Sequence, residues 1–408
     1  MRVALAAVLS LLALAPAAHA YTPTERANYA DGPSGRYVLD QGWSTSRARS
    51  GPFHPVRVPG AFNARRLNER SERGWTQWYR ERFTLPSAAG ATAWRIRFES
   101  VSVHADVWLN GRKIGTHTGA HLPFELMARG IHTGTNELLV KVNGHARRDD
   151  IPPAGRERGW WNYGGILREV YLRKVSDLDL GDPQITTTIG NPAEVTFKAQ
   201  VRNSTGGTLP ANLALSVTGP NGFSSTLPVT GGNVAPGDLA TVSATFPIPD
   251  PQLWTPSTPN LYELKATFPG GQTTTIHFGV RQWSKAPDGR PLLNGRPLSL
   301  RGASFHEDVV GRGAGLTAQD EDTIANELHA LGASFSRQHY PPSPRLLEAF
   351  DRMGIVFWEQ IPVWRLKGKD LKPALRRTIL ERLRQTLLRD RNHASVMTWS
   401  VARLGSAA

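Results

Sequence analysis

Four short apolar runs, Leu298–Ser304, Ala333–Ser336, Ile355–Trp358 and Ser395–Val401, each lead into polar residues, and helical patterns separate them. That grammar constrains the chain more than any other feature. Strands alternating with helices build βαβ units and a parallel sheet. Such sheets gather their chemistry beyond the carboxyl ends of the strands. Those ends carry His306, Glu307 and Asp308, then Arg337 and His339, then Glu359, then Trp399. The strands recur about every thirty residues, as in a (β/α)8 barrel of ~250 residues. The stretch therefore reads as roughly four of eight units.

The helices between the runs have readable ends. Thr317 with Asp320 resembles a capping box, after which Ile324, Leu328 and Leu331 line one face until Gly332. Ser343 can cap a second helix with Pro344 at its first position and Gly354 at its end. A third begins near Pro373, with Leu375, Ile379, Leu383 and Leu387 four residues apart.

Upstream the pattern is all-β. In residues 35–175, Trp78–Leu85, Ala93–Phe98 and His104–Leu109 alternate, and Asn110-Gly111 marks a tight hairpin. Glu137–Val142 and Leu167–Arg173 are further strands. This organisation predicts a jelly roll or sandwich. Residues 176–282 read as a smaller immunoglobulin-like β-sandwich, with strands at Glu194–Val201, Leu213–Val217, Leu239–Phe246, Leu261–Phe268 and Thr273–Phe278. From Trp283 to Ala408 the chain reads as the first half of a TIM barrel.

The first twenty residues read as an export signal: Arg2, an apolar stretch Val3–Leu14, and a small-x-small cleavage site at Ala18-His19-Ala20. The apolar stretch is short of the ~20 residues that span a bilayer. A lead over 21–34 follows. The expectation is a periplasmic or secreted protein cleaved after Ala20, with no membrane span afterwards. The chain has no cysteine, which excludes thiol catalysis and cysteine-ligated metals. Its formal charge is +14, but the basic residues are spread along the chain without a nucleic-acid module. No nucleic-acid partner is expected. The histidines lack ligand spacing, so neither metal nor other cofactor is expected.

The order of jelly roll, sandwich and barrel resembles glycoside hydrolase family 2, which includes β-galactosidases and β-glucuronidases. Trp78-Tyr79-Arg80, Ala105-Asp106-Val107-Trp108-Leu109-Asn110-Gly111 and Asn162-Tyr163-Gly164-Gly165-Ile166 are similar to the family's first domain. Pro259-Asn260-Leu261-Tyr262 and Phe278-Gly279-Val280-Arg281 fit its second. His306-Glu307-Asp308, Arg337 with His339-Tyr340-Pro341, and Arg389-Asp390-Arg391-Asn392-His393 fit its barrel. The resemblance implies a glycosidase acting on a β-glycoside by a retaining mechanism, often assembled as a homo-oligomer.

The resemblance suggests roles for His306, His339 and Trp399, and position at the strand ends suggests the others. His306 and His339 would donate hydrogen bonds to the sugar where the bond is cut. Arg337 would clamp a carboxylate or hydroxyl of the sugar, or neutralise Glu359 or Glu307. Glu359 would be a substrate contact or a partner of Arg337. Trp399 would lie near the cleaved bond, or be a barrel-core aromatic. Trp75, Trp160 and Trp161 read as domain packing rather than as sugar platforms. Some family β-galactosidases bind magnesium after the third strand, but Glu359-Gln360-Ile361-Pro362-Val363-Trp364 gives that metal no support.

Neither catalytic carboxylate can be assigned. The family's acid/base Glu follows Asn in a segment matching Trp399-Ser400-Val401-Ala402, yet positions 403 and 404 hold Arg403 and Leu404. The nucleophile belongs to a seventh strand. Four parallel strands cannot close a barrel. The expectation is a C-terminally truncated product, inactive alone, with a non-catalytic carbohydrate-binding protein or an inert fragment as the alternative.

Overall fold

The computed structural model describes residues 19–20, 36–85, 93–154, 159–270, 272–364, 366 and 371–401. Most of the expected export signal, the lead over 21–34, Arg403 and Leu404 lie outside these residues. No helix among the described residues is long and apolar enough to cross a membrane.

The first domain is a jelly roll. Its strands are β1 (Ser44–Ser46), β2 (Thr76–Leu85), β3 (Ala93–Phe98), β4 (His104–Leu109), β5 (Arg112–Thr118), β6 (Phe124–Met127), β7 (Gly134–Asn143) and β8 (Val170–Val175). One sheet runs β5-β4-β7-β2-β1, and the facing sheet runs β6-β3-β8. Alternation along β2, β4 and β7 sends Tyr79, Phe83, Val107, Leu109, Leu138, Val140 and Val142 into the core. The hairpin between β4 and β5 turns on Asn110 and Gly111, both at positive φ (48° and 80°).

The last strand departs from the sequence reading. Alternation predicts Leu167–Arg173, but β8 starts at Val170, after a separate short pair at Gly165–Ile166. Arg168 turns out of the ladder to reach the barrel, where it donates to Glu307 and to the Pro341 carbonyl.

The second domain is a sandwich of β9 (Leu178–Thr188), β10 (Ala193–Asn203), β11 (Leu213–Thr218), β12 (Ser224–Val229), β13 (Leu239–Ile248), β14 (Tyr262–Thr267) and β15 (Thr273–Phe278). Sheet β9-β10-β13 faces sheet β12-β11-β14-β15. Phe197, Leu215, Leu264, Ile276 and Phe278 lie in the core between them. The sequence reading missed β9 because a register shift between Gly181 and Gln184 breaks its alternation.

The third region is a parallel sheet of β16 (Gly302–Ser304), β17 (Phe335–Arg337), β18 (Val356–Gln360) and β19 (Val396–Ser400), in that spatial order. The first apolar run yields only three strand residues. Its leading Leu298 and Leu300 pack instead against the cluster around Trp254 and Leu293. Helix α1 (Ala318–Ala330) starts with a complete Thr317–Asp320 capping box. Helix α2 (Pro344–Met353) has Pro344 in its first turn and a left-handed Gly354 at its end, although the Ser343 side chain makes no cap bond. Helix α3 (Pro373–Asp390) buries Leu375 and Ile379.

The three regions are tied by buried polar contacts. Trp254 of the sandwich is fully buried and donates from Nε1 to the Asp351 carbonyl at 2.9 Å. Arg281 donates to the carbonyls of Ala394 and His393 at 2.5 and 2.8 Å. Asn392 accepts from the Ile185 amide and donates to the Pro183 carbonyl. The Arg389–His393 segment therefore docks the barrel strands onto the domains before them.

Candidate active site

The carboxyl ends of β16 and β17 meet a loop of the jelly roll. Trp160, from that loop, stacks over His306 at 6.4 Å between ring centroids and over His339 at 6.0 Å. The two histidines are 5.7 Å apart. Tyr340 lies 5.5 Å from Trp160, and Trp364 stands edge-on to Trp160 and 4.7 Å from His339. Trp160, Trp161, Tyr163, His306, Asp308 and Tyr340 line one cleft. The lining sets apolar ring faces beside imidazole and carboxylate groups around a free volume of about 20 Å³.

Burial pushes the His306 imidazole below its ordinary range, against the opposing pull of Asp308 and Glu307. A neutral imidazole can donate and accept, as hydroxyl recognition requires. Asp308 accepts from the Tyr163 hydroxyl through both oxygens at 2.9 Å. Burial first, and then that contact with Asp308, raises the phenol's pKa, so Tyr163 stays protonated and donates.

Glu307 is buried and committed. It accepts from Arg168 Nη2 at 2.9 Å and from the Ser343 amide at 2.6 Å. Arg337 donates to Gln360 Oε1 and lies 5.7 Å from the centre of the Trp358 ring. Glu359 has no exposed surface. It accepts from Trp399 Nε1 at 2.8 Å, and Arg389 Nη2 stands 3.5 Å from its other oxygen. Asp390 is buried beside it, bound to the same Arg389 guanidinium. Burial, then the Asp390 charge, drives the Glu359 pKa well upward. Burial also opposes ionisation of Asp390, but the Arg389 guanidinium outweighs it and holds that carboxyl below its usual range. Of the two acids, Glu359 is therefore the one pushed toward its neutral form.

His306 and His339 thus come together under Trp160, and His306 is the one of the two that lines the cleft. Arg337, Glu359 and Trp399 occupy the sheet next to it, on β17, β18 and β19. Trp160 does pack between domains, as its sequence context predicts, and it also roofs the cleft. Nothing in its local sequence marks that second position, because the barrel residues beneath it lie more than a hundred positions away. Among the described residues no three His, Asp or Glu side chains converge on a metal position.

Comparison with known proteins agrees with this architecture region by region. Residues 42–176 match the model for "Glycosyl hydrolases family 2, sugar binding domain", residues 178–281 "Glycosyl hydrolases family 2", and residues 285–407 "Glycosyl hydrolases family 2, TIM barrel domain". The chain belongs to glycoside hydrolase family 2. A putative β-glucuronidase of Formosa agariphila is 27% identical over 84% of this chain and 41% of its own length. A β-galactosidase of Thermoanaerobacterium thermosulfurigenes is 30% identical over 75% of this chain and 43% of its own. The solved structure of a putative β-galactosidase from Bacteroides fragilis superposes with a TM-score of 0.81 at 23% identity, covering 90% of this chain and 58% of that one. The family 2 chain described here thus spans about two fifths of the length of these two curated relatives.

Proposed function

We propose that this chain carries the sugar-recognition part of an exported, retaining β-glycosidase of family 2, and that the 408-residue chain by itself binds a β-glycoside without turning it over. The observation that carries the reading is Trp160 of the jelly roll stacked over His306 and His339 of two different barrel strands. His306 and His339 hold the sugar hydroxyls. Arg337 and Trp399 contribute to the adjoining wall. Glu359 holds that wall through Trp399, and its substrate contact is indirect. Retaining hydrolysis needs two carboxyl groups ~5–5.5 Å apart, one to protonate the leaving oxygen and one to attack the anomeric carbon. Among the described residues Glu307, Asp308 and Glu359 are each committed to protein partners. The Leu404 side chain, where the family pattern has a Glu, has no proton to give. The names of the two curated relatives suit a glucuronide or a galactoside as the substrate. Export fits the apolar amino-terminal stretch and its cleavage pattern.

The test uses aryl β-glucuronides and β-galactosides. The 408-residue chain should show saturable, sugar-dependent change in tryptophan fluorescence and no released phenol, and Trp160→Ala should abolish the fluorescence change. A form extended past Ala402 with the family's continuation should release phenol. Turnover by the 408-residue chain would overturn the recognition-only reading. Absence of any sugar-dependent signal would overturn sugar recognition itself.

A further inference from the structure

The outer face of the β5-β4-β7-β2-β1 sheet carries a second aromatic platform. Alternation turns Trp78 and Arg80 of β2, Trp108 of β4, and Leu139 and Lys141 of β7 away from the core. Lys141 lies opposite Trp78 on one side and Asp106 on the other, while Leu139 lies between Trp108 and Arg80. Trp78 and Trp108 are therefore diagonal neighbours across β7, with centroids 5.4 Å apart and planes tilted by 33°. Both rings remain partly exposed.

Cations crowd these rings. The Arg49 guanidinium lies 5.1 Å from the Trp108 centroid and 5.9 Å from that of Trp78. Lys141 is 5.9 Å from Trp78, and Lys113 is 5.6 Å from Trp108. Cross-strand aromatic and cation–π pairs stabilise any sheet. Here the charge does not balance. Asp106 is taken by Lys113 at 2.6 Å and Glu137 by Arg82 at 3.0 Å. Among the described residues Arg49 and Lys141 have no carboxylate at ion-pair distance, so two unpaired positive charges stand against two partly exposed indoles, while Arg80 on the same face lies over the Phe53 ring. A structural sheet face would gain by adding acids there.

We propose that this face is a binding site for a polymer of acidic sugars, separate from the cleft under Trp160. The indoles would stack on sugar rings, and Arg49 and Lys141 would take the ring carboxylates. The close spacing of cation and ring decides the ligand class. In a uronic acid the carboxylate is attached to the stacking ring itself. In a nucleotide the sugar separates the phosphate from the base, so a cation directly over the stacking platform is misplaced for it.

Affinity electrophoresis of the 408-residue chain through gels containing polygalacturonate tests the proposal, with neutral dextran gels and oligothymidylate gels alongside. Retardation is expected in polygalacturonate alone, and it should weaken as salt rises. Trp78→Ala with Trp108→Ala should lower apparent affinity about tenfold or more, the scale set by losing one good aromatic contact. Arg49→Glu with Lys141→Glu leaves the core untouched and should do the same, which separates binding from misfolding. His306→Ala, which alters the cleft and not this face, should leave retardation in place. The proposal is overturned by no retardation in polygalacturonate, by equal retardation in oligothymidylate, by full retention in the Arg49/Lys141 variant, or by loss in His306→Ala.

Discussion

Arg168 of the jelly roll and Glu307 of the barrel form a buried ion pair at 2.9 Å, with only 5% and 4% of the two side chains exposed. Arg168 also donates to the carbonyls of His121 and Pro341, so one guanidinium joins three chain segments. Removing one member of such a pair strands the other charge away from water. Arg168→Ala should cost about 3–5 kcal/mol. A drop in the urea midpoint followed by tryptophan fluorescence checks this, and a loss below about 1 kcal/mol would mean that water reaches Glu307 once the guanidinium is gone.

Gly279 sits where the sandwich meets the barrel. A Cβ placed on it would stand 2.7 Å from Trp254 Cβ and 2.8 Å from Ala394 Cβ. Neither neighbour is the flexible end of a long side chain, so backbone must move. Gly279→Ala should destabilise by about 1–3 kcal/mol, as overpacking does. An unchanged thermal midpoint would show that the interface can slide.

The neutral state assigned to Glu359 makes a sharp substitution test. Glu359→Gln keeps an acceptor for Trp399 Nε1 and removes no charge if Glu359 is neutral, so stability at neutral pH should change by less than about 1 kcal/mol. Glu359→Ala opens a cavity and unpairs Trp399, and should cost about 2–4 kcal/mol. Equal losses in the two variants would mean that Glu359 is ionised in the folded chain.

Stability should fall as pH rises through the neutral range. Burial alone would lower the His393 pKa, but the Asp351 carboxylate at 2.6 Å raises it to about 9, against about 6.5 unfolded. A pKa raised on folding gives stability that is complete below pH 6.5 and lost by about pH 9. Burial raises Glu321 to about 7, so the unfolded chain ionises first and stability also declines from about pH 4.5 to 7. Urea midpoints between pH 5 and 9 read both slopes. His393→Gln should flatten the upper window and Glu321→Gln the lower one; unchanged slopes would place the titration elsewhere.

The alternations and turns were the legible part of the fold. Asn110-Gly111, the Thr317–Asp320 box and the Gly354 terminus were readable because each is a local backbone requirement met by neighbouring residues. The strand-end histidines were legible for the same reason, since the βα repeat fixes where a strand stops. Contacts made across the chain were not. Arg168 looked like one residue of a strand, yet it leaves its ladder to satisfy a carboxylate 139 positions away. Arg281 and Asn392 stood in recognisable family segments, but only their partners on other domains explain them. The opposed pKa shifts of Glu359 and Asp390 are likewise invisible in sequence, because they depend on complete burial of two acids from different elements.

The carbonyl of His121 accepts from Arg168 at 2.8 Å and from Arg389 at 3.1 Å, while its ring stacks on Tyr340 at 4.1 Å. One peptide group thus serves arginines from two domains at once. Its geometry depends on a residue held at φ 66°. A chimera that exchanged the jelly roll between two members of this family would break that junction unless the loop, both arginines and the tyrosine travelled together. These four positions should accordingly be inherited as a block, and a crossover anywhere between the jelly roll and the barrel separates them.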